Sequence, residues 1–254
     1  SRNRPAGMVG VMKAYQDLST GNHDIKYVLI VDEDDQTIHN AALLDNVEIF
    51  LGTRNATVNM RFNEAVLKYP ADCYIQACDD AFPLAFHWDA LVHGAIQQIP
   101  AFSWQEKNDP GNATYLTLSH KWVETLGRFY PEYFPFWFAD TWLAEVFLLT
   151  FAKPIPVINQ LQVSGKRGHT RGMRDLAFWF DYFAKTRTER MEEAILLAKA
   201  YGFTIQRKDR LEQISNLEKN DQYQLTQVER YEKYLLDTSP PSPIYTACKE
   251  RASA

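Results

Sequence analysis

Residues 25–35 read IKYVLIVDEDD. The apolar run at 27–31 stops abruptly at four consecutive acids, the pattern of a strand covered on both faces whose carboxyl end meets solvent. The same arrangement recurs at 73–80, CYIQACDD, where a short apolar stretch again runs into Asp79-Asp80. Between the two, VEIFL (47–51), closed by Gly52, reads as another strand. TVNMRFNEAVLKYP (57–70) reads as a helix ended by Pro70. Upstream, AGMVGVMKAYQDLST (6–20) sets Met8, Val11, Met12, Tyr15 and Leu18 at helical spacing. Strand–helix–strand order implies parallel pairing and a layered α/β fold, in which ligands bind at the carboxyl ends of the strands. Two acidic clusters at two strand ends are therefore candidates for one shared site.

Downstream, Phe86 to Ile99 reads as a helix, 113–118 as a strand and His120 to Leu126 as a helix. Aromatic density peaks in FYPEYFPFWFADTW (129–142). A strand is expected within 154–163, followed by the Gly- and Arg-rich loop SGKRGHTRGMRD (164–175). From there to about residue 236, charges at i,i+3 and i,i+4 spacing describe a helical extension. The end, DTSPPSPIYTACKERASA, reads as an irregular tail.

The 254 residues have ordinary globular proportions, 46% hydrophobic and 23% charged, and are long enough for one domain plus an appendage. Cys73, Cys78 and Cys248 are odd in number and form no CxxC pattern, which argues against a disulfide framework or structural zinc site and favours a reducing compartment. No apolar run reaches the ~20 residues of a membrane span, and no signal-peptide core follows SRNRPAG, so a cytoplasmic protein is expected. The net charge of −5 is unevenly spread: residues 1–165 carry 11 Lys and Arg against 19 Asp and Glu, residues 166–254 carry 16 against 13. An acidic front argues against nucleic acid as a partner, because phosphate binding needs clustered positive charge. It suits carboxylates gathered around a cation.

Residue chemistry leaves two readings open at each candidate. Asp79-Asp80 is either a solvated turn or helix cap, or a hard-cation ligand pair. Asp32, first after its strand, points into the crevice region, whereas most of its acidic neighbours must be solvated. Asp140, within FWFADTWLAEVF, is either the cap of a helix beginning at Thr141 or a general base in a partly desolvated pocket, where burial would raise its pKa. The 164–175 loop is either a flexible solvated connection or a diphosphate clamp, with glycines admitting the backbone and arginines giving bidentate contacts. It does not match the Walker pattern, and neither GxSxG nor HExxH occurs. The aromatic segment is first a core element, although Trp137 or Trp142 could stack on a sugar ring.

Taken together, SRNRP at the start, YVLIVDEDD, QACDDAFP before a helix, and ADTWLAEVF resemble a GT-A-type glycosyltransferase of the family-two-like, inverting kind. The likeness covers roughly residues 1–180 and rests on order and spacing. It implies a GT-A-like nucleotide-sugar-binding layer, an α/β arrangement with a mixed, mainly parallel sheet flanked by helices. A C-terminal helical extension follows: catalytic domain 1–173, extension 174–237 packed on it, irregular tail 238–254. By that resemblance Ser1, Arg2, Asn3 and Arg4 lie beneath the nucleotide and Asp32 contacts its base. Asp79 and Asp80 occupy the DxD region, with Asp79 also beside the nucleotide, and hold Mn²⁺ or Mg²⁺ with His169. Lys166, Arg167 and Arg171 face the phosphates, and Asp140 deprotonates the acceptor hydroxyl. The implied partners are a nucleoside-diphosphate sugar and a glycan, lipid-linked or small-molecule acceptor. For the extension, amphipathic spacing favours packing on the catalytic domain, and its near-neutral charge makes peripheral contact with an anionic membrane the weaker option.

The sequence departs from that pattern in three places. Ala77 stands where the leading Asp of DxD is usual, Ala139 where the first acid of an acidic pair is usual, and the family has an apolar strand ahead of the SRNRP-like segment that starts here at Ser1, so either that strand lies outside this numbering or the sheet edge is built differently. The alternatives are a nucleotide-sugar binder without transfer activity and, with less support because SRNRPAG carries one glycine, a nucleotidyltransferase.

Overall fold

A computed structural model of the protein describes residues 5–35, 47–52, 56–107, 114–135, 137–163, 175–232 and 243–253. The chain divides into two compact units: Ser1–Ala56, Met60–His120 and Pro156–Lys166 form the first, and Thr57–Asn59, Lys121–Ile155 and Arg167–Ala254 the second. The division runs through the stretch expected as a single catalytic domain, because residues 121–155 group with the later helices.

In the first unit, helix α1 (Pro5–Asp17) begins with proline at its first helical position, where the missing N–H costs nothing. Its Met8 and Met12 pack with Leu29 and Val31 of β1 (Tyr27–Asp32). β1 pairs in parallel with β2 (Val47–Gly52), setting Asp32 opposite Gly52. Helix α2 (Val58–Lys68) follows as expected.

The remaining strands form a five-stranded sheet in the order β3 (Cys73–Ile75), β6 (Tyr115–Ser119), β5 (Ala101–Glu106), β7 (Val157–Val163), β4 (Ala81–Pro83). The mixed sheet with flanking helices is as expected, but parallel pairing does not dominate among the described residues. Only β5·β7 is parallel in this sheet, while β3·β6, β5·β6 and β4·β7 are antiparallel. The reason is local: β5 and β6 neighbour each other as a hairpin, and three-residue β4 lies against β7 rather than against a strand reached by a helical crossover. Around β5, the buried Phe102 and Trp104 pack with Val11, Tyr15, Leu161, and Trp88 and Val92 of α3 (Trp88–Ile96). Two buried indoles keep hydrogen bonds, Trp88 Nε1 to the Tyr15 carbonyl at 2.7 Å and Trp104 Nε1 to Thr117 Oγ1 at 3.0 Å.

The second unit is helical: α4 (His120–Leu126, from Lys121 onward), α5 (Ala139–Phe151), α6 (Leu176–Lys185), α7 (Arg187–Ala200), a 3₁₀ turn (Arg207–Arg210), α8 (Leu211–Glu232) and α9 (Pro243–Ser253). Phe134 makes edge contacts with Trp142, Trp179 and Tyr182, an aromatic core with ring centroids 5.7–5.9 Å apart. Fully buried Arg190 lies 3.9 Å from the Phe183 ring centroid and donates to Glu145 Oε2 at 2.7 Å. Arg187 reaches Glu145 at 3.5 Å and Asp221 at 2.6 Å, which ties α5, α7 and α8 together. The tail at 238–254 is not irregular throughout. Pro243 starts helix α9, whose Tyr245 and Cys248 are buried, and Trp179 Nε1 donates to the Tyr245 hydroxyl at 3.0 Å. Prolines ahead of IYTACKERA mark a helix start as readily as disorder.

Candidate active site

At the carboxyl end of β1, Asp32 meets a partner not singled out from the sequence. Arg61 of α2 is 3% exposed and donates through Nη2 to Asp32 Oδ1 at 3.1 Å. Gly52, opposite Asp32 in the ladder, makes the room: a Cβ there would stand 0.9 Å from Arg61 Nη1, 2.1 Å from Cζ and 2.6 Å from Cδ. Nη1 is buried with no hydrogen-bond partner among the described residues. The signal was an inversion on α2. Arg61 and Asn63 are buried while Leu67 of the same helix is 66% exposed, the reverse of what side-chain transfer energies favour. Such a reversal is visible only once the buried face is known.

Asp79 and Asp80 lie in the turn between β3 and β4, which the Ala81 N–H closes onto the Cys78 carbonyl at 3.2 Å. β3 is shorter than the six-residue strand expected. Its ladder continues through Gln76 N–H to the Leu116 carbonyl at 2.8 Å, and no strand is assigned from there to Asp80. Helix α1 abuts this turn. A Cβ on Gly7 would come within 2.7 Å of the Asp79 carbonyl oxygen, so glycine permits the approach. The positive end of the helix dipole therefore stands beside the turn, where it stabilises negative charge. The turn's own charge registers on its neighbour: burial pushes the Cys78 thiol up to about 12, and the Asp80 and Asp79 carboxylates add to that shift.

No three His, Cys, Asp or Glu side chains converge as metal ligands among the described residues. The chemistry of the adjacent Asp79-Asp80 pair fits one mode of hard-cation binding, one or two carboxylates with the remaining oxygens from substrate phosphates and water. Ser1, Arg2, Asn3 and Arg4, and Lys166, Arg167, His169 and Arg171 of the expected phosphate clamp, lie outside the described residues.

In the second unit, Asp140 sits inside the first turn of α5 and does not cap a helix starting at Thr141. The helix starts at Ala139, with Phe138 at the cap in the left-handed region, φ 67°. Asp140 Oδ1 accepts from the Thr141 N–H at 2.8 Å and the Thr141 hydroxyl at 3.3 Å. Burial raises its pKa, and the two Thr141 bonds oppose that shift. The residue keeps partial contact with solvent, and a carboxylate with a raised pKa is a stronger base than an ordinary one. Trp142 is fully buried and donates to Glu193 Oε2 at 2.8 Å, so its expected option of stacking on a sugar is excluded. Trp137 is half-buried.

The chain shares its mixed α/β fold with a solved glycosyltransferase. A solved structure that it resembles is the mannosyltransferase PcManGT from Pyrobaculum calidifontis, in complex with GDP-Man and Mn²⁺, at 14% identity and a TM-score of 0.57, over 100% of this chain and 77% of that one. No protein-family model and no curated protein matches the chain.

Proposed function

We propose that this protein is a metal-dependent glycosyltransferase of the GT-A type, family-two-like and inverting, which moves a sugar from a nucleoside-diphosphate donor to an acceptor hydroxyl. The observation that carries the reading is the Asp32–Arg61 pair at the carboxyl end of β1, in the unit that also holds the Asp79-Asp80 turn. The shared fold with a nucleotide-sugar mannosyltransferase supports it.

As a carboxylate paired with a guanidinium, Asp32 accepts hydrogen bonds and donates none. It suits a base with a ring N–H on its pairing edge, uracil or guanine. The corresponding nitrogens of adenine and cytosine carry lone pairs that the carboxylate would repel. Asp79 and Asp80 would hold Mn²⁺ or Mg²⁺, with His169 as a further ligand, and Ser1, Arg2, Asn3 and Arg4 would lie against the nucleotide. When bound, the cation supplies charge stabilisation to the departing diphosphate. Lys166, Arg167 and Arg171 would add positive charge on the same oxygens. Asp140 takes the proton from the acceptor hydroxyl. That oxygen bonds to the anomeric carbon as the bond to the diphosphate oxygen breaks, and the nucleoside diphosphate departs with the electron pair.

The test is to incubate the protein with uridine- and guanosine-diphosphate sugars, Mn²⁺ and a panel of acceptors. A transferase releases nucleoside diphosphate. Binding without release identifies a nucleotide-sugar binder instead, and pyrophosphate formed in a parallel incubation with a nucleoside triphosphate and a sugar 1-phosphate would identify a nucleotidyltransferase.

A further inference from the structure

One end of the helical unit combines exposed apolar side chains with exposed cations. Helix α7 closes with Gly202 at φ 85°, and the chain then runs over the end of α5. Phe203 lies 5.8 Å from the Phe151 ring in the last turn of α5. Arg210 donates to the carbonyls of Leu149 at 2.6 Å and Thr150 at 3.0 Å, which satisfies the open carbonyls of that helix end. The α7–α8 connection is thereby fastened around the α5 terminus at two points, and Tyr201, just past the end of α7, lies 5.9 Å from the same Phe151 ring.

At that end Leu196 is 52%, Phe203 36% and Leu211 59% exposed. Lys153, two residues past α5, Lys199 in the last turn of α7, and Arg207 and Lys208 in the connection are exposed too, and none has an ion-pair partner among the described residues. The acids nearby are Asp209, whose carboxylate accepts the Gln206 N–H at 2.7 Å, Glu212, and exposed Glu192 one turn before Leu196, so the cations still outnumber the acids at this end. A cationic, apolar end on a chain of net charge −5 is a local segregation of charge, and exposed apolar groups ringed by Lys and Arg are the composition of an interfacial membrane contact. Long cationic side chains can lie along the apolar groups and keep their heads at the phosphate level. Among the described residues no helix is long and apolar enough to cross a membrane, so the contact in question is peripheral.

We propose that this end of the helical unit docks on an anionic lipid surface. Leu196, Phe203 and Leu211 enter the headgroup boundary, while Lys153, Lys199, Arg207 and Lys208 sit over the lipid phosphates. A nucleic-acid partner is disfavoured because nothing in its backbone calls for three exposed aliphatic and aromatic side chains among the cations.

The test is sedimentation of the full chain with vesicles of phosphatidylcholine alone and of phosphatidylcholine mixed equally with phosphatidylserine. Binding is expected to the mixed vesicles, to weaken with added salt, and to fall sharply on phosphatidylcholine alone. Arg207→Gln with Lys208→Gln lowers the partition coefficient about 25-fold, at about 5-fold per cation. Phe203→Ser with Leu211→Ser lowers it by about 10-fold or more. Both pairs of variants keep the wild-type circular dichroism and any sugar-nucleotide turnover, so the outcome is separate from the proposed catalysis. Absence of binding to mixed vesicles at low salt overturns the proposal. So does binding that survives Phe203→Ser with Leu211→Ser but is displaced by heparin, which would make the face a general polyanion site.

Discussion

Replacing Gly52 by alanine tests the nucleotide end of the first unit with one methyl group. The backbone tolerates the change, because Gly52 is not in the left-handed region. The methyl carbon, however, would stand 0.9 Å from Arg61 Nη1, 2.1 Å from Cζ and 2.6 Å from Cδ, so the whole distal side chain must leave. The strand survives and the ion pair does not. Removing one partner of a buried pair costs about 3–5 kcal/mol, and the partial exposure of Asp32 places this case near the lower limit, about 3 kcal/mol. For a chain of this size that lowers Tm by roughly 6–12 °C. In an Arg61→Ala background the space is already empty. There Gly52→Ala is neutral or stabilises by up to about 1 kcal/mol, through the reduced freedom of the unfolded chain. Thermal unfolding of the two single variants and the double variant therefore gives a coupling of opposite sign to additivity, well above the ~0.5 kcal/mol scatter of independent sites. Uridine or guanosine diphosphate affinity, read by calorimetry, falls in Gly52→Ala along with stability. Equal destabilisation in both backgrounds, or none in either, would refute the packing argument.

Asp140→Asn should retain donor binding and lose about 100- to 10,000-fold of the transfer rate, as measured by nucleoside diphosphate release with acceptor present. Because burial raises the Asp140 pKa, its protonated form is favoured in the folded state, and the associated stability is present below the unfolded pKa and lost as pH rises through the folded one. The Asn variant should therefore melt higher than wild type at pH 7 and match it once the pH falls below the ordinary carboxylate range. Mn²⁺ should bind weakly to the protein alone and about tenfold or more tightly with a nucleoside diphosphate present, since diphosphate oxygens would complete the oxygen-rich coordination that a hard cation favours; equal affinity in both titrations would contradict the shared-ligand reading. In the second unit, Glu145→Ala leaves fully buried Arg190 without its carboxylate and should cost about 3–5 kcal/mol in urea unfolding, whereas Glu145→Leu with Arg190→Met should cost less than half as much.

The strand at 27–32 and its acidic end are legible because a β-branched apolar run that stops at four acids is too short for a buried helix and too apolar for a loop. Helix α4 at His120–Leu126 is legible with its observed bounds. Strand β5 is not. Its buried Ser103 and Gln105 interrupt an otherwise apolar segment, and a strand covered on both faces shows no alternation. Three-residue β4 is too short for any periodicity, and α9 is masked by the prolines that precede it.

By its sequence alone the chain determined the layered α/β class, the position of Asp32 at the carboxyl end of a strand, and a helix beginning near Asp140. These follow from local patterns, in which neighbours along the chain carry the information. Tertiary structure decided that Arg61 is the partner of Asp32, that Gly52 makes room for it, that Gly7 lets α1 reach the acidic turn, and that Trp142 belongs to the core. Each depends on which side of an element faces inward, and that is set by segments distant in sequence closing the space around it.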